Sequence, residues 1–278
     1  MSTSLAVKID HLTYTFPQQA APALHDVSLE IPWHTRTLLV GCNGAGKSTI
    51  LRLLSGKHLC LGGNILVNDH NPFSPLPLDG DAGDVVNCVY LGLEWAHMEI
   101  INRDVRVSEL LDSIGFAHFE QRGRELLQIL EVDTHWRMHM LSDGQKRRVQ
   151  LVMGLLKPWR VLLLDEVTVD LDVIGRSRLL AFLEHETQRR RCSVLYATHI
   201  FDGLNSWPHR VLHLDRGRIV DSLALPADVQ FTAARDAEVA ENRDTAGHRD
   251  TKPTLTVPKS DSLHPLALHW LARDRDRT

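Results

Sequence analysis

Three short segments hold residue types and spacings suited to phosphate chemistry. They are Gly41-Cys42-Asn43-Gly44-Ala45-Gly46-Lys47-Ser48-Thr49, Leu141-Ser142-Asp143-Gly144-Gln145 and Val161-Leu162-Leu163-Leu164-Asp165-Glu166. In the first, Gly41, four residues, Gly46, Lys47 and Ser48 match a phosphate-binding loop. Gly44 and Gly46 let the backbone take positive φ, so amide N–H groups can point at an anion. A helix opening at Lys47 adds the positive end of its dipole. Lys47 would hold the β- and γ-phosphates of ATP and Ser48 would ligate Mg²⁺, with Gly41, Asn43 and Thr49 completing the cradle.

The third segment is an apolar strand ending in two carboxylates. Asp165 at its tip would hold Mg²⁺, directly or through water. Glu166 is placed to activate or orient an attacking water, a role worth roughly 10²–10⁴-fold. The second segment opens a helix at Ser142 and Gly144, whose backbone donors make an anion site aimed away from the chain's own nucleotide. Gln145 belongs to the same turn. That geometry implies a head-to-tail homodimer with two composite sites, formed when ATP is bound. His199, after the strand Ser193–Thr198, stands where a γ-phosphate sensor would be. Leu171 and Asp172 follow Glu166 at the spacing of a dimer-contact loop. Tyr14 and Phe16 share one strand face, and Phe16, just before the turn, is the better placed to stack on adenine. Lys146-Arg147-Arg148 reads as a solvated helix face rather than a nucleic-acid patch. His135 and His139 sit four apart without an evident third metal ligand and read as surface or turn histidines.

Strands must position these groups. Val7–Phe16 and Val27–Ile31 alternate, and Thr37–Val40 is a buried run leading into the glycine loop. Asn64–Val67, Val85–Leu91, Val161–Asp165, Ser193–Thr198, Val211–Leu214 and Arg218–Ser222 read as further strands. Ile50, Leu51, Leu53 and Leu54 follow the glycine loop at helical spacing. Early antiparallel strands and later strand–helix alternation predict a mixed α/β core. Residues 96–158 read as a helical subdomain: Val107, Leu110, Leu111 and Ile114 share a face that Gly115 ends, and Gly123–Leu130 looks helical. Residues 1–230 would form one unit and residues 231–261, poor in apolar side chains, a flexible linker. Residues 262–278 would form an amphipathic helix, with Leu263, Leu266, Ala267, Trp270 and Leu271 on one face behind Ser262. That face would dock on the chain's own core or on a partner.

The 278 residues carry 31 Lys+Arg and 35 Asp+Glu, a net charge of −4 that gives no general nucleic-acid footprint. No apolar run approaches the ~20 residues of a membrane span, so any membrane part would sit on another chain. The first residues lack the regions of a signal peptide. The 4 scattered cysteines fit a reducing compartment.

Residues from about 5 to 225 resemble the ABC ATPase nucleotide-binding domain: a phosphate-loop core, an antiparallel β subdomain and a helical subdomain. Ser55-Gly56-Lys57-His58, Tyr90-Leu91-Gly92-Leu93-Glu94-Trp95, Ile101-Asn102-Arg103-Asp104 and Leu155-Leu156-Lys157-Pro158-Trp159-Arg160-Val161 look like a narrower group. So do Asp165–Asp172 and Ala197–Leu204. The group is the CCR-associated factors, soluble, non-intrinsic ABC ATPases. This resemblance implies a soluble protein of cytoplasm or nucleus associated with the CCR–NOT complex. Three departures from the wider ABC pattern stand out. Leu93 stands where a Mg²⁺-binding glutamine is usual, leaving Glu94 or water to fill the metal position. Asp143 replaces a glycine, and Val169 and Asp170 precede Leu171. The leading expectation is therefore a nucleotide-driven regulatory ATPase. The alternatives are the ATPase subunit of a transporter whose membrane part is a separate chain, and a nucleotide-binding scaffold with negligible turnover.

Overall fold

The structure is a computed structural model that describes residues 4–60, 62–74, 84–92, 103–204, 206–232, 240–242, 254–258 and 262–275. Strand β1 (Leu5–Tyr14) pairs antiparallel with β2 (Leu24–Pro32). Strand β3 (Arg36–Val40) runs into the glycine loop, and α1 (Lys47–Leu54) follows it. β4 (Asn64–Val67) pairs with the other edge of β1, giving an antiparallel sheet of order β2-β1-β4.

The second sheet holds the site. It contains β3, β5 (Val86–Leu91), β6 (Trp159–Asp165), β7 (Ser193–Ala197), β8 (Arg210–Asp215) and β9 (Arg218–Ala224), in the order β5-β6-β7-β3-β8-β9. All neighbours are parallel except β8 and β9. Strand β7 lies between β6 and β3, so Asp165 and Leu39 both register with Ala197. This brings the phosphate loop, Asp165 and His199 to one edge, the carboxyl ends of parallel strands where α/β sheets bind ligands.

Side-chain alternation explains the unbroken apolar runs. Leu39, Val161, Leu163, Leu195 and Leu212 face α1 and the antiparallel sheet. Leu38, Leu162, Leu164, Val194 and Val211 face the helices on the other side. A parallel strand covered on both faces needs apolar residues at both parities. Each such Leu or Val contributes roughly 1.5–3 kcal/mol when fully buried.

Helices α2 (Val107–Ser113), α3 (Glu120–Ile129) and α4 (Asp143–Leu156) follow one another between β5 and β6. Gly115 takes φ 88° just past α2, the left-handed stop that a glycine supplies. Helix α5 (Val173–Arg189) has no counterpart in the sequence reading. Its first turn shows Val173 and Ile174 to solvent, while its core face begins at Gly175 and Leu179. Apolar residues on both sides blur the helical period.

The stretch read as a linker contains three short strands, β10 (Val229–Thr232), β11 (Ala240–Asn242) and β12 (Thr254–Pro258), in a sheet of order β10-β12-β11. Helix α6 (His264–Arg275) follows. Of its two possible seats it takes the chain's own core. Leu263, Leu266, Ala267 and Trp270 join Val211, Leu223 and Phe201 in one cluster. Trp270 stacks on buried His213 with ring centroids 4.7 Å apart, and His213 Nε2 lies 3.0 Å from Asp274 Oδ2.

Candidate functional site

Gly44 and Gly46 take φ of 81° and 106°, the left-handed values expected of them. Gly41 is required for a different reason: a Cβ there would lie 2.2 Å from the Leu214 carbonyl oxygen. Gly46 caps α1 without a side-chain hydrogen bond, which leaves the first helical N–H groups free of side-chain acceptors. Lys47 folds back on its own loop, with Nζ donating to Gly41 O at 2.8 Å and Cys42 O at 3.1 Å. Burial pulls its ammonium below the ordinary lysine range, and Glu166 and Asp165 oppose that shift.

Asp165 is held from both sides. Ser48 Oγ donates to Oδ1 at 3.0 Å, and Tyr90 OH donates to Oδ2 at 3.0 Å. Sequence reasoning gave Tyr90 no role at the site, naming it only within a strand and a stretch that carries the resemblance. Burial, with Asp165 beside it, pushes its phenol up to about 12, so it remains a donor. Ser48 and Asp165 together offer two hard oxygens beside the phosphate loop. Mg²⁺ suits such a site, because it keeps several waters and takes one or two protein oxygens plus phosphates. Among the described residues no group of three or more His, Cys, Asp and Glu could hold a metal. His139 Nδ1 instead lies 3.2 Å from Asp104 Oδ1. Glu94 and Leu93 lie outside the described residues.

Glu166 takes φ 55°, in the left-handed region, and its backbone N–H donates to Ala197 O at 2.9 Å. Its carboxylate meets His199, whose Nδ1 is 2.7 Å away. Phe16, Asn43, Gly44, Lys47, Ser48 and Glu166 line one cleft of 450 Å³, together with Gly46 and Thr49. Phe16 packs edge-on against Tyr14 and His58, so its ring is braced at the cleft wall.

The helix-opening segment lies elsewhere. Ser142 caps α4: its Oγ accepts from Gln145 N at 3.3 Å, while Gln145 Oε1 accepts from Ser142 N at 3.0 Å. This capping box explains the Ser-x-x-Gln spacing, and it directs the Gln145 side chain to its own helix. Asp172 caps α5 through Gly175 N at 2.7 Å and pairs with Arg148. Ser142, Gly144, Gln145, Asp170 and Asp172 line a second cleft of 580 Å³, and it shares no lining residue with the first.

The basic run is not simply a solvated face. Arg147 is buried, and Arg148 is engaged by Glu131 and Asp172. Among the described residues no helix is long and apolar enough to cross a membrane.

Comparison with known proteins agrees with this geometry. The family model described as ABC transporter matches residues 24–169. The chain is 57% identical to CCR4-associated factor 16 of Saccharomyces cerevisiae over 282 residues, covering 99% of this chain and 96% of that protein. It is 42% identical to ABC transporter I family member 20 of Arabidopsis thaliana, over 80% of this chain and 70% of that one. Among solved structures, a dimeric post-hydrolysis state of an ATP-binding cassette bound to ADP and Pi superposes with a TM-score of 0.62 at 19% identity, covering 79% of this chain and 98% of that one. The fold of mixed sheet and covering helices thus has its counterpart among solved structures, and the chain belongs to the ABC transporter family.

Proposed function

We propose that the protein binds ATP with Mg²⁺ and hydrolyses it at two composite sites formed head to tail by two copies. The separation of the two clefts carries this reading: one holds the phosphate loop, Ser48 and Glu166, the other Ser142 and Gly144. A second copy would bring the opening of α4 to the first cleft, where its N–H groups meet the γ-phosphate. Lys47 would turn from the Gly41 and Cys42 carbonyls to the phosphates. Ser48 and Asp165 would hold Mg²⁺, which neutralises charge on the phosphate oxygens. Glu166 would orient a water and take its proton. His199, 2.7 Å from that carboxylate, would hold it in place and sense the γ-phosphate. Phe16 would stack on the adenine, and Asp172 would act at the dimer contact.

The near-full-length likeness to a protein named CCR4-associated factor 16 supports a finer reading. The chain would work as a nucleotide-driven subunit of the CCR–NOT assembly, in cytoplasm or nucleus. Phosphate release by the wild type, lost in Glu166→Gln with ATP binding retained, tests the chemistry. Affinity capture of tagged wild type and Glu166→Gln tests the setting. CCR–NOT subunits enriched in the Glu166→Gln capture would support it. Multi-span membrane proteins there would make the chain a transporter subunit instead.

A further inference from the structure

Helix α4 carries a buried arginine that no step above uses. The Arg147 side chain is 3% exposed. Its guanidinium donates to Gly92 O at 2.9 Å and to Gln150 Oε1, and its Nε lies 3.6 Å from Asp170 Oδ2. Gln150 Nε2 donates to the same Gly92 oxygen at 3.0 Å. The Asp170 carbonyl oxygen packs on the helix opening, 3.1 Å from where a Cβ on Gly144 would stand. A guanidinium out of water is tolerated only when its donors are matched. Here the partners are the Gly92 carbonyl, Gln150 on the same helix and the Asp170 carboxylate, so Arg147 ties three segments together: the end of β5, α4 and the Asp170 loop.

Each segment leads to the chemistry. Gly92 follows β5, whose Leu91 registers with Leu164 next to Asp165. Asp170 lies between Glu166 and the α5 cap Asp172. Arg147 itself stands five residues past Ser142. We propose that Arg147 is a positioning residue for hydrolysis. It clasps Gly92, the opening of α4 and the Asp170 loop into one body, so that Ser142 and Gly144 meet the partner copy's nucleotide in register. This rests on the composite-site reading above.

The test compares full-length wild type, Arg147→Gln, Arg147→Lys, Asp170→Asn and the Arg147→Gln/Asp170→Asn double variant. Phosphate release is measured against ATP concentration, nucleotide binding with a fluorescent ATP analogue, and folding by thermal melting. Arg147→Gln is expected to keep nucleotide binding within about twofold, lower kcat about tenfold or more, and lose cooperativity in ATP. Arg147→Lys recovers part of kcat. Asp170→Asn lowers kcat in the same direction, and the double variant is no worse than Arg147→Gln alone. Unchanged kcat and cooperativity in folded Arg147→Gln, or losses that multiply independently, would overturn the clasp. If Arg147→Gln fails to fold, Asp170→Asn decides, because that carboxylate is 37% exposed, and unchanged kcat there overturns the proposal. If the wild type releases no phosphate, the hydrolysis reading fails by itself. ATP-driven dimerisation by size exclusion then reads the clasp, and equal dimerisation of wild type and Asp170→Asn overturns it.

Discussion

His199 Nδ1 lies 2.7 Å from Glu166 Oε2, and the His199 backbone N–H donates to the same oxygen at 3.3 Å. The carboxylate is thus fixed by a side chain and a main chain from the neighbouring strand end. Glu166 also holds a left-handed φ of 55°. That conformation costs a non-glycine residue roughly 1–2 kcal/mol, and such strain clusters at functional sites.

The first prediction concerns this pair. His199→Ala is expected to lower kcat about 10²-fold while ATP affinity stays within about twofold. Glu166→Gln should do at least as much, and the double variant should be no worse than Glu166→Gln. Steady-state phosphate release decides. Losses that multiply would mean that His199 acts independently of Glu166.

Lys47 supplies a pH dependence. Burial lowers its pKa, and phosphate oxygens would raise it again on binding. ATP binding at alkaline pH should therefore take up a proton. Affinity should fall as pH rises through the depressed value, sooner than for an ordinary lysine at about 10.4. Calorimetry in buffers of different ionisation enthalpy measures the uptake. The same uptake in Lys47→Met would assign it to another group.

Asp172 links pH to stability. The Gly175 N–H, with Arg148 beside it, holds its carboxyl below the usual range. A depressed folded pKa gives stability that is full above the unfolded value, near pH 4, and is lost as pH falls through the folded value. Asp172→Ala should cost about 1 kcal/mol at pH 7, less if solvent screens the exposed cap. The deficit should shrink in urea titrations below about pH 4. An equal deficit at both ends would remove the cap as its cause.

Trp270 tests the seating of α6. It is 1% exposed and stacked on His213. Trp270→Ala should destabilise the chain by about 3–5 kcal/mol, and Trp270→Phe by less. An unchanged urea midpoint would show that α6 does not hold to the core in solution.

Much of this site was legible in residue order. The glycine loop announces itself because positive φ at Gly44 and Gly46 is a local requirement. The β6 run ending at Asp165 and the Ser142-x-x-Gln145 cap are local as well. Strand β4 (Asn64–Val67) falls on the residues read as a strand. Helix α5 escaped because Val173 and Ile174 face solvent, against the rule that apolar residues mark the buried side.

What the sequence determined by itself is the set of local conformations and the chemical groups they carry: the left-handed glycines of the loop before Lys47, the carboxylate at the end of β6, the capped opening of α4. Tertiary structure decided which distant groups meet. It set Tyr90 on Asp165, Arg147 between Gly92 and Asp170, and Trp270 on His213, and it parted the two clefts. Each of these depends on strand order and helix seating. Backbone geometry and capping act over a few residues, whereas packing and buried hydrogen bonds join segments whose separation in sequence carries no period to read.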